Sequence, residues 1–308
     1  MKVKENSPLA KLLDGKLAIF TGKGGVGKTS LSTAVALSAV QTGKRVLIAE
    51  VRSSRRIPPL FGIEAQANGP LELQDGLEWI HLTPAAALEV YAVRLLRFRS
   101  VYRAVFEHRA VRRFLKAIPS LSEILVLGHL AFLVESQRYD LVILDAPSSG
   151  PGALMLAAPR EVMQGAPRGP LFDGAEWIQK LLADGRQTAI NLVVTPEELP
   201  VSEAVDLHHR LKDELALPLG AVFLNRILED PFPPRFAAVL EAAGRHPQGA
   251  SLASSAALLR ARLKLQEIYV DRLRAGVNLE AILLPEILSS GDNLDVANRL
   301  AGALAEAP

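Results

Sequence analysis

Gly22-Lys23-Gly24-Gly25-Val26-Gly27-Lys28-Thr29 is the stretch that decides the fold of this chain. It has the spacing G-x-x-x-x-G-K-T, and its meaning depends on its flanks, because such a string binds phosphate when it follows a strand and opens a helix. Both conditions are met. Lys16-Leu17-Ala18-Ile19-Phe20 is a short apolar run of buried-strand type, and Thr29 through Val40 carries Ala, Leu, Ser and Val at helical spacing. Glycines allow the backbone N–H groups to converge on a phosphate with no Cβ in the way, and the following helix turns its positive end towards the anion. In this reading Gly22, Lys23, Gly24, Gly25, Val26, Gly27, Lys28, Thr29 and Ser30 line a nucleotide site. Lys28 reaches the β- and γ-phosphates and the Thr29 hydroxyl ligates Mg2+. ATP and Mg2+ are the expected cofactors.

Lys23 adds a second clue. A generic phosphate loop does not need a lysine directly after its first glycine, and an ammonium there requires an anion to meet it. The loop resembles the deviant Walker A type of dimeric ATPases such as MinD, ParA, the nitrogenase iron protein and the ArsA-like ATPases, the SIMIBI class of P-loop NTPases. In that group the signature lysine crosses to the nucleotide of the partner, so the resemblance implies a dimer with Lys23 at its seam.

Composition narrows the class. The chain has 308 residues, enough for one large α/β domain with a substantial core. It has no cysteine, which removes disulfides, thiolate metal sites and thiol nucleophiles. A net charge of +2 is close to balance and argues against nucleic acid as a general partner. The opening Met1-Lys2-Val3-Lys4-Glu5-Asn6 lacks an apolar signal core, and no apolar run reaches bilayer length. A cytoplasmic protein is expected, with peripheral membrane attachment left open.

β-like and helical segments alternate along the chain, the pattern of a doubly wound, mostly parallel sheet with helices on both faces. Expected strands are Leu17–Phe20, Arg45–Val51, Trp79–Leu82, Leu141–Leu144, Ala189–Val194, Ala221–Asn225 and Leu279–Leu284. Ligands on such sheets sit beyond the carboxyl ends of the strands. The stretch around Pro167-Arg168-Gly169-Pro170 is the expected flexible loop, and the Ala-rich stretch after Asp292 a closing helix. Asp145 follows four apolar residues and precedes Ala146-Pro147-Ser148-Ser149-Gly150. That is the place for an acidic residue holding Mg2+ through water, followed by a turn with Gly150 that senses the γ-phosphate.

These residues together resemble the ArsA-like ATPases, which include the arsenite-pump ATPase and the targeting factor for tail-anchored membrane proteins. The resemblance is carried by Gly22–Ser30, Val46-Leu47-Ile48-Ala49, Ile118-Pro119-Ser120-Leu121-Ser122-Glu123, the run Tyr139 to Pro147, Val194-Thr195-Pro196-Glu197-Glu198-Leu199-Pro200 and Leu224-Asn225-Arg226. It implies one ATPase domain over residues 1–308 with a helical insertion at about 84–137. It also implies that Asn225 hydrogen-bonds the adenine, an amide being able to donate and accept at once. Pro285-Glu286-Ile287 would close over the base.

Departures from the family pattern matter as much. Where the family has a water-orienting aspartate after its second strand, this chain has Arg52, in Glu50-Val51-Arg52-Ser53-Ser54-Arg55-Arg56. Arginine cannot accept a hydrogen bond from water. Three accounts fit. Glu50 takes over part of the role, Arg52 clamps phosphate, or the chain binds ATP with weak or no turnover and pairs with an active paralogue. Absence of cysteine excludes thiolate-bound arsenite and the Cys-x-x-Cys zinc clasp of eukaryotic targeting factors. The six histidines, His208-His209 among them, show no metal spacing and are expected to be solvated or packed. Only three methionines occur, so a Met-rich groove for apolar clients is not evident. Within the insertion, Arg94, Arg97, Arg99, Arg103, Arg109, Arg112, Arg113 and Lys116 alternate with apolar residues. This reads as a basic amphipathic helix over 94–116 that suits an acidic protein partner or an anionic membrane surface, or else as a solvated face over a packed stripe.

Overall fold

Strand β1 (Leu17–Gly22) is buried along its whole length, and its side chains divide between two separate cores. Leu17 and Ile19 enter one hydrophobic layer, Ala18 and Phe20 the other. A strand covered on both faces has no polar side, so it reads in sequence as a continuous apolar run. The computed structural model describes residues 8–51, 55–65, 69–96, 120–232, 234–246, 249–288 and 293–306.

The other strands are β2 (Val46–Glu50), β3 (Leu71–Gln74), β4 (Leu77–His81), β5 (Leu141–Ser148), β6 (Thr188–Val194), β7 (Leu219–Ile227) and β8 (Ala281–Pro285). They form one eight-stranded sheet in the order β3-β4-β2-β5-β1-β6-β7-β8. Every neighbouring pair is parallel except β3 and β4. The fold is therefore the expected α/β P-loop architecture.

On one face of the sheet lie α1 (Pro8–Asp14), α2 (Lys28–Gln41) and α10 (Asn293–Glu306), the last being the closing helix expected after Asp292. Helix α2 is sandwiched between the sheet and α10, so residues Leu31 to Ala39 are all buried. Its hydroxyls are satisfied along the helix: Thr33 donates to the Thr29 carbonyl at 2.8 Å and Ser38 to that of Ala34 at 3.0 Å. The opposite face is covered by α4 (Leu121–Glu135), α5 (Ser149–Gly165), α6 (Pro170–Ala183) and α7 (Glu198–His209). Helix α3 (Pro84–Leu96) packs against α4, α8 (Ala237–Gly244) packs against α9, and α9 (Ala250–Gly276) lies along α7.

The structure departs from the sequence expectations in two places. Strand β3 was not foreseen; it pairs antiparallel with β4 across Asp75-Gly76, where Gly76 has φ 76°. The Asp-Gly dipeptide between alternating segments is a hairpin signal. Second, no loop follows Asp145. Strand β5 continues to Ser148 and α5 begins at Ser149. Pro147 is tolerated there because the register with β1 breaks between Phe20 and Gly22, so no regular ladder bond is lost. The loop expected around Pro167-Arg168-Gly169-Pro170 is a short connection between two helices, with Pro170 in the first turn of α6 where a missing N–H costs nothing. Of the basic helix expected over 94–116, the described residues include the last turn of α3, and residues 97–119 lie outside them. Among the described residues no helix is long and apolar enough to cross a membrane.

Candidate nucleotide site

The loop leaves the carboxyl end of β1 at Gly22, whose φ of 147° is accessible chiefly to glycine. A Cβ placed on Gly22 would fall 2.2 Å from the Val193 carbonyl oxygen on β6, so both the dihedral and the space demand glycine. Gly22→Ala is expected to lower stability by about 2–4 kcal/mol, measured as the shift in a urea unfolding curve. Gly27, with φ 94°, meets the same constraint from β7: a Cβ there would lie 2.3 Å from Asn225 Nδ2.

Lys28 is the first residue of α2 and only 3% exposed. Its Nζ donates to the carbonyls of Gly22 at 2.8 Å and Lys23 at 2.7 Å, which holds the ammonium inside the curve of the loop. One residue on, Thr29 Oγ1 donates to Asp145 Oδ2 at 2.7 Å. Asp145 is fully buried on β5, in register with Phe20 of β1 on one side and Glu50 of β2 on the other. The hydroxyl and carboxylate expected to hold Mg2+ thus come together from elements 116 residues apart. Two hard oxygens beside a phosphate loop fit Mg2+, which takes one or two carboxylates plus phosphate oxygens and waters. Among the described residues no group of three or more His, Cys, Asp or Glu side chains could form an all-protein cage.

Glu50 ends β2 and is fully buried. Burial raises its pKa, and the neighbouring Asp145 adds to the shift. Both carboxylate oxygens accept from the Arg56 backbone N–H at 3.0 Å, and Oε2 also accepts from Ile57 N–H at 3.4 Å and Trp79 Nε1 at 3.3 Å. The side chain therefore ties β2 to the turn at Arg56. Arg52 lies outside the described residues.

Lys23 turns away from the loop and pairs with Glu203 of α7. The other oxygen of Glu203 accepts from Ser149 Oγ at 2.6 Å, at the start of α5. Hydrogen bonds from Lys23 and then Ser149 hold the Glu203 carboxyl below its ordinary pKa. This three-way contact between phosphate loop, α5 and α7 was not foreseen, and no local sequence signal marks Glu203. Asn225, 5% exposed and near the end of β7, donates its Nδ2 to the Val26 carbonyl at 2.9 Å. It therefore supports the loop from beneath, a contact the sequence reading did not contain. Pro285 ends β8 in register with Ile227, and Glu286 N–H donates to the Ile227 carbonyl at 2.9 Å. Of the histidine pair, His208 is packed and 3% exposed, while exposed His209 meets Asp213 at 3.0 Å.

Two clefts flank the loop. One, of about 450 Å³, is lined by Gly25, Gly27, Lys28, Thr29 and Ser30 on the loop side and by Arg56, Pro59 and Leu60 opposite. The other, of about 500 Å³, lies at the Lys23 side and includes Thr195, Glu197, Glu198 and Arg226. Both are within the size range of small-ligand sites. The glycine loop, the N-terminus of α2, Lys28 and the Thr29–Asp145 pair fit a Mg2+-nucleotide.

Comparison with known proteins agrees with this geometry. Residues 15–166 match the family model of anion-transporting ATPases. The chain is 28% identical over 289 residues to the ATPase BagA of Mycobacterium tuberculosis, covering 90% of this chain and 77% of that protein. It is 25% identical over 150 residues to a protein of Aquifex aeolicus provisionally named arsenical pump-driving ATPase 1, covering 47% of this chain and 38% of that one. The glycine loop, the part-buried Thr29–Asp145 contact and these matches together support an ArsA-like, nucleotide-binding P-loop ATPase.

Proposed function

We propose that the chain binds Mg2+-ATP at the loop between β1 and α2, hydrolyses it, and uses the nucleotide state to control pairing with a second copy or a paralogous ATPase. The hydrogen bond of Thr29 to Asp145 carries this reading, because it sets a metal-binding hydroxyl and a buried carboxylate beside the phosphate loop. Bound Mg2+ would offset charge on the β- and γ-phosphate oxygens. Lys28 and the backbone N–H groups of Gly24 to Thr29 would orient the phosphate chain, and Asp145 would position the metal's water shell. Asn225 Nδ2 keeps the loop curved through Val26. Adenine recognition by Asn225 and closure by Pro285 remain part of the proposal.

Coupling follows from the placement of Ser149 and Gly150 directly after β5, where loss of the γ-phosphate would be felt by α5. Output would pass through the helical insertion at about 84–137 to a protein partner or an anionic membrane surface. The relatives named for arsenical pumps do not extend to thiolate-bound arsenite here, since these 308 residues offer no cysteine. The test is nucleotide titration by calorimetry with steady-state phosphate release. Asp145→Asn is expected to cut turnover by about 10- to 100-fold, the usual cost of losing a group that orients a metal's ligands. A wild-type chain that shows no affinity for ATP or ADP with Mg2+ defeats the reading.

A second reading, binding with weak or no turnover as the partner of an active paralogue, is favoured by Glu50. Its carboxylate is committed to the Arg56 and Ile57 amides and the Trp79 indole. The acidic group that would replace the family's water-orienting aspartate is thus occupied in holding the chain. Single-turnover hydrolysis by the pure protein separates the two: turnover at ordinary rates removes the weaker version.

A further inference from the structure

The cleft over Thr29 and Ser30 has a second cationic wall. Its lining includes Lys28 from the loop and Arg56 from the segment after β2. We propose that Arg56 is a phosphate-contacting residue, placed within the same chain to grip the phosphate groups of a nucleotide seated on the loop, with Glu50 as its positioning residue. The inference rests on the nucleotide-binding reading above and adds a contact that the loop motif does not contain.

Three observations carry it. First, Arg56 is exposed to solvent and lines a cleft of about 450 Å³ together with Gly25, Gly27, Lys28, Thr29 and Ser30, which places it across the cleft from the glycine loop. Second, its backbone is pinned. The fully buried Glu50 accepts the Arg56 N–H with both oxygens at 3.0 Å, and the next residue, Ile57, is 0% exposed. A cation on a pinned backbone loses less freedom when it meets its ligand. Third, the adjacent arginine is used differently: Arg55 donates to the Ala65 carbonyl, bracing the segment that follows. Of the two neighbouring arginines, Arg56 is the one that lines the cleft beside the loop.

The chemistry suits a phosphate chain. A guanidinium offers a planar fork of donors that matches phosphate oxygens and stays charged at any working pH. Lys28 is already bonded to two carbonyls of its own loop, and Lys23 is paired with Glu203. A triphosphate spreads its charge over several oxygens, and a cation on the wall opposite the glycine loop would meet those the loop amides do not reach.

The experiment is calorimetric titration of the full chain with Mg2+-ATP and Mg2+-ADP, on wild type, Arg56→Ala, Arg56→Lys, Glu50→Gln and the double variant Glu50→Gln/Arg56→Ala. Arg56→Ala is expected to weaken ATP by about 10- to 100-fold, the range of a charge-assisted hydrogen bond. Arg56→Lys should recover part of that loss, because it restores the charge without the fork. Glu50→Gln should weaken ATP several-fold when Arg56 is present and leave affinity unchanged in the Arg56→Ala background. Wild-type affinity in Arg56→Ala overturns the inference. An equal Glu50→Gln effect in both backgrounds overturns the positioning role. If wild type itself binds no nucleotide, the failure belongs to the nucleotide reading and takes this inference with it.

Discussion

Lys28→Ala is expected to abolish measurable ATP binding, with affinity falling by at least about 100-fold. The Lys28 ammonium donates to the Gly22 and Lys23 carbonyls of its own loop, and the residue is 3% exposed. When a phosphate chain enters, these become charge-assisted contacts to anionic oxygens, each worth roughly 1.5–3 kcal/mol. Losing two such contacts removes more than the factor of 100 stated. The substitution also leaves the Gly22 and Lys23 carbonyls without their buried donor, a cost to stability of about 1–3 kcal/mol. Calorimetry reads the first effect and thermal unfolding without nucleotide reads the second, so weak binding cannot be confused with a damaged fold. An affinity within threefold or so of wild type in a folded variant would contradict the placement of phosphate at this loop.

Lys23→Ala is expected to abolish ATP-dependent association while leaving nucleotide binding by the single chain largely intact, as read by sedimentation velocity alongside titration. In the isolated chain Lys23 is paired with Glu203, both partly solvated at 29% and 37% side-chain exposure. A pair this open to water contributes little, about 1 kcal/mol or less. A partner's triphosphate, with several negative charges, would outcompete one carboxylate for the same ammonium. The sign of a second substitution follows. Glu203→Ala releases Lys23 from its contact within the chain, so this variant should associate at lower ATP concentration than wild type. Association unchanged in Lys23→Ala places the lysine away from the seam. Association weakened in Glu203→Ala means the carboxylate belongs to the associated state and not to the separate chain.

Much of the fold was legible because strongly periodic or wholly apolar segments leave few choices. All seven expected strands exist, with ends that moved by at most four residues. The missed strand, β3, is four residues long and lies at the edge, with a half-exposed pattern that gives only a weak signal. The loop after Asp145 was misread because proline, serine and glycine are turn formers locally. Here β5 runs on to Ser148 and hands directly to α5, whose Gly152 packs so closely that a Cβ would fall 2.9 Å from Thr21 Oγ1. Tertiary packing overrode propensity at that point.

The site divides along the same line. Residues 22 to 30 announce a phosphate loop from sequence alone, since their chemistry depends on backbone conformation and on neighbours a few positions away. Asp145 was found by its position after an apolar strand. Glu203, Ser149 and Arg56 could not be found this way, because each is brought to the site from a distant part of the chain. The amino-acid order thus pointed to a nucleotide as the ligand class and to Thr29 and Asp145 as the oxygens proposed for its metal. Only the tertiary structure decided that Glu50 is spent on the Arg56 turn, that Asn225 supports Val26 and that Lys23 is engaged by α7. Glycine dihedrals and apolar runs are local constraints written into consecutive residues. The pairing of an ammonium with one of many carboxylates exists only once the sheet has brought distant strands and helices to the same edge.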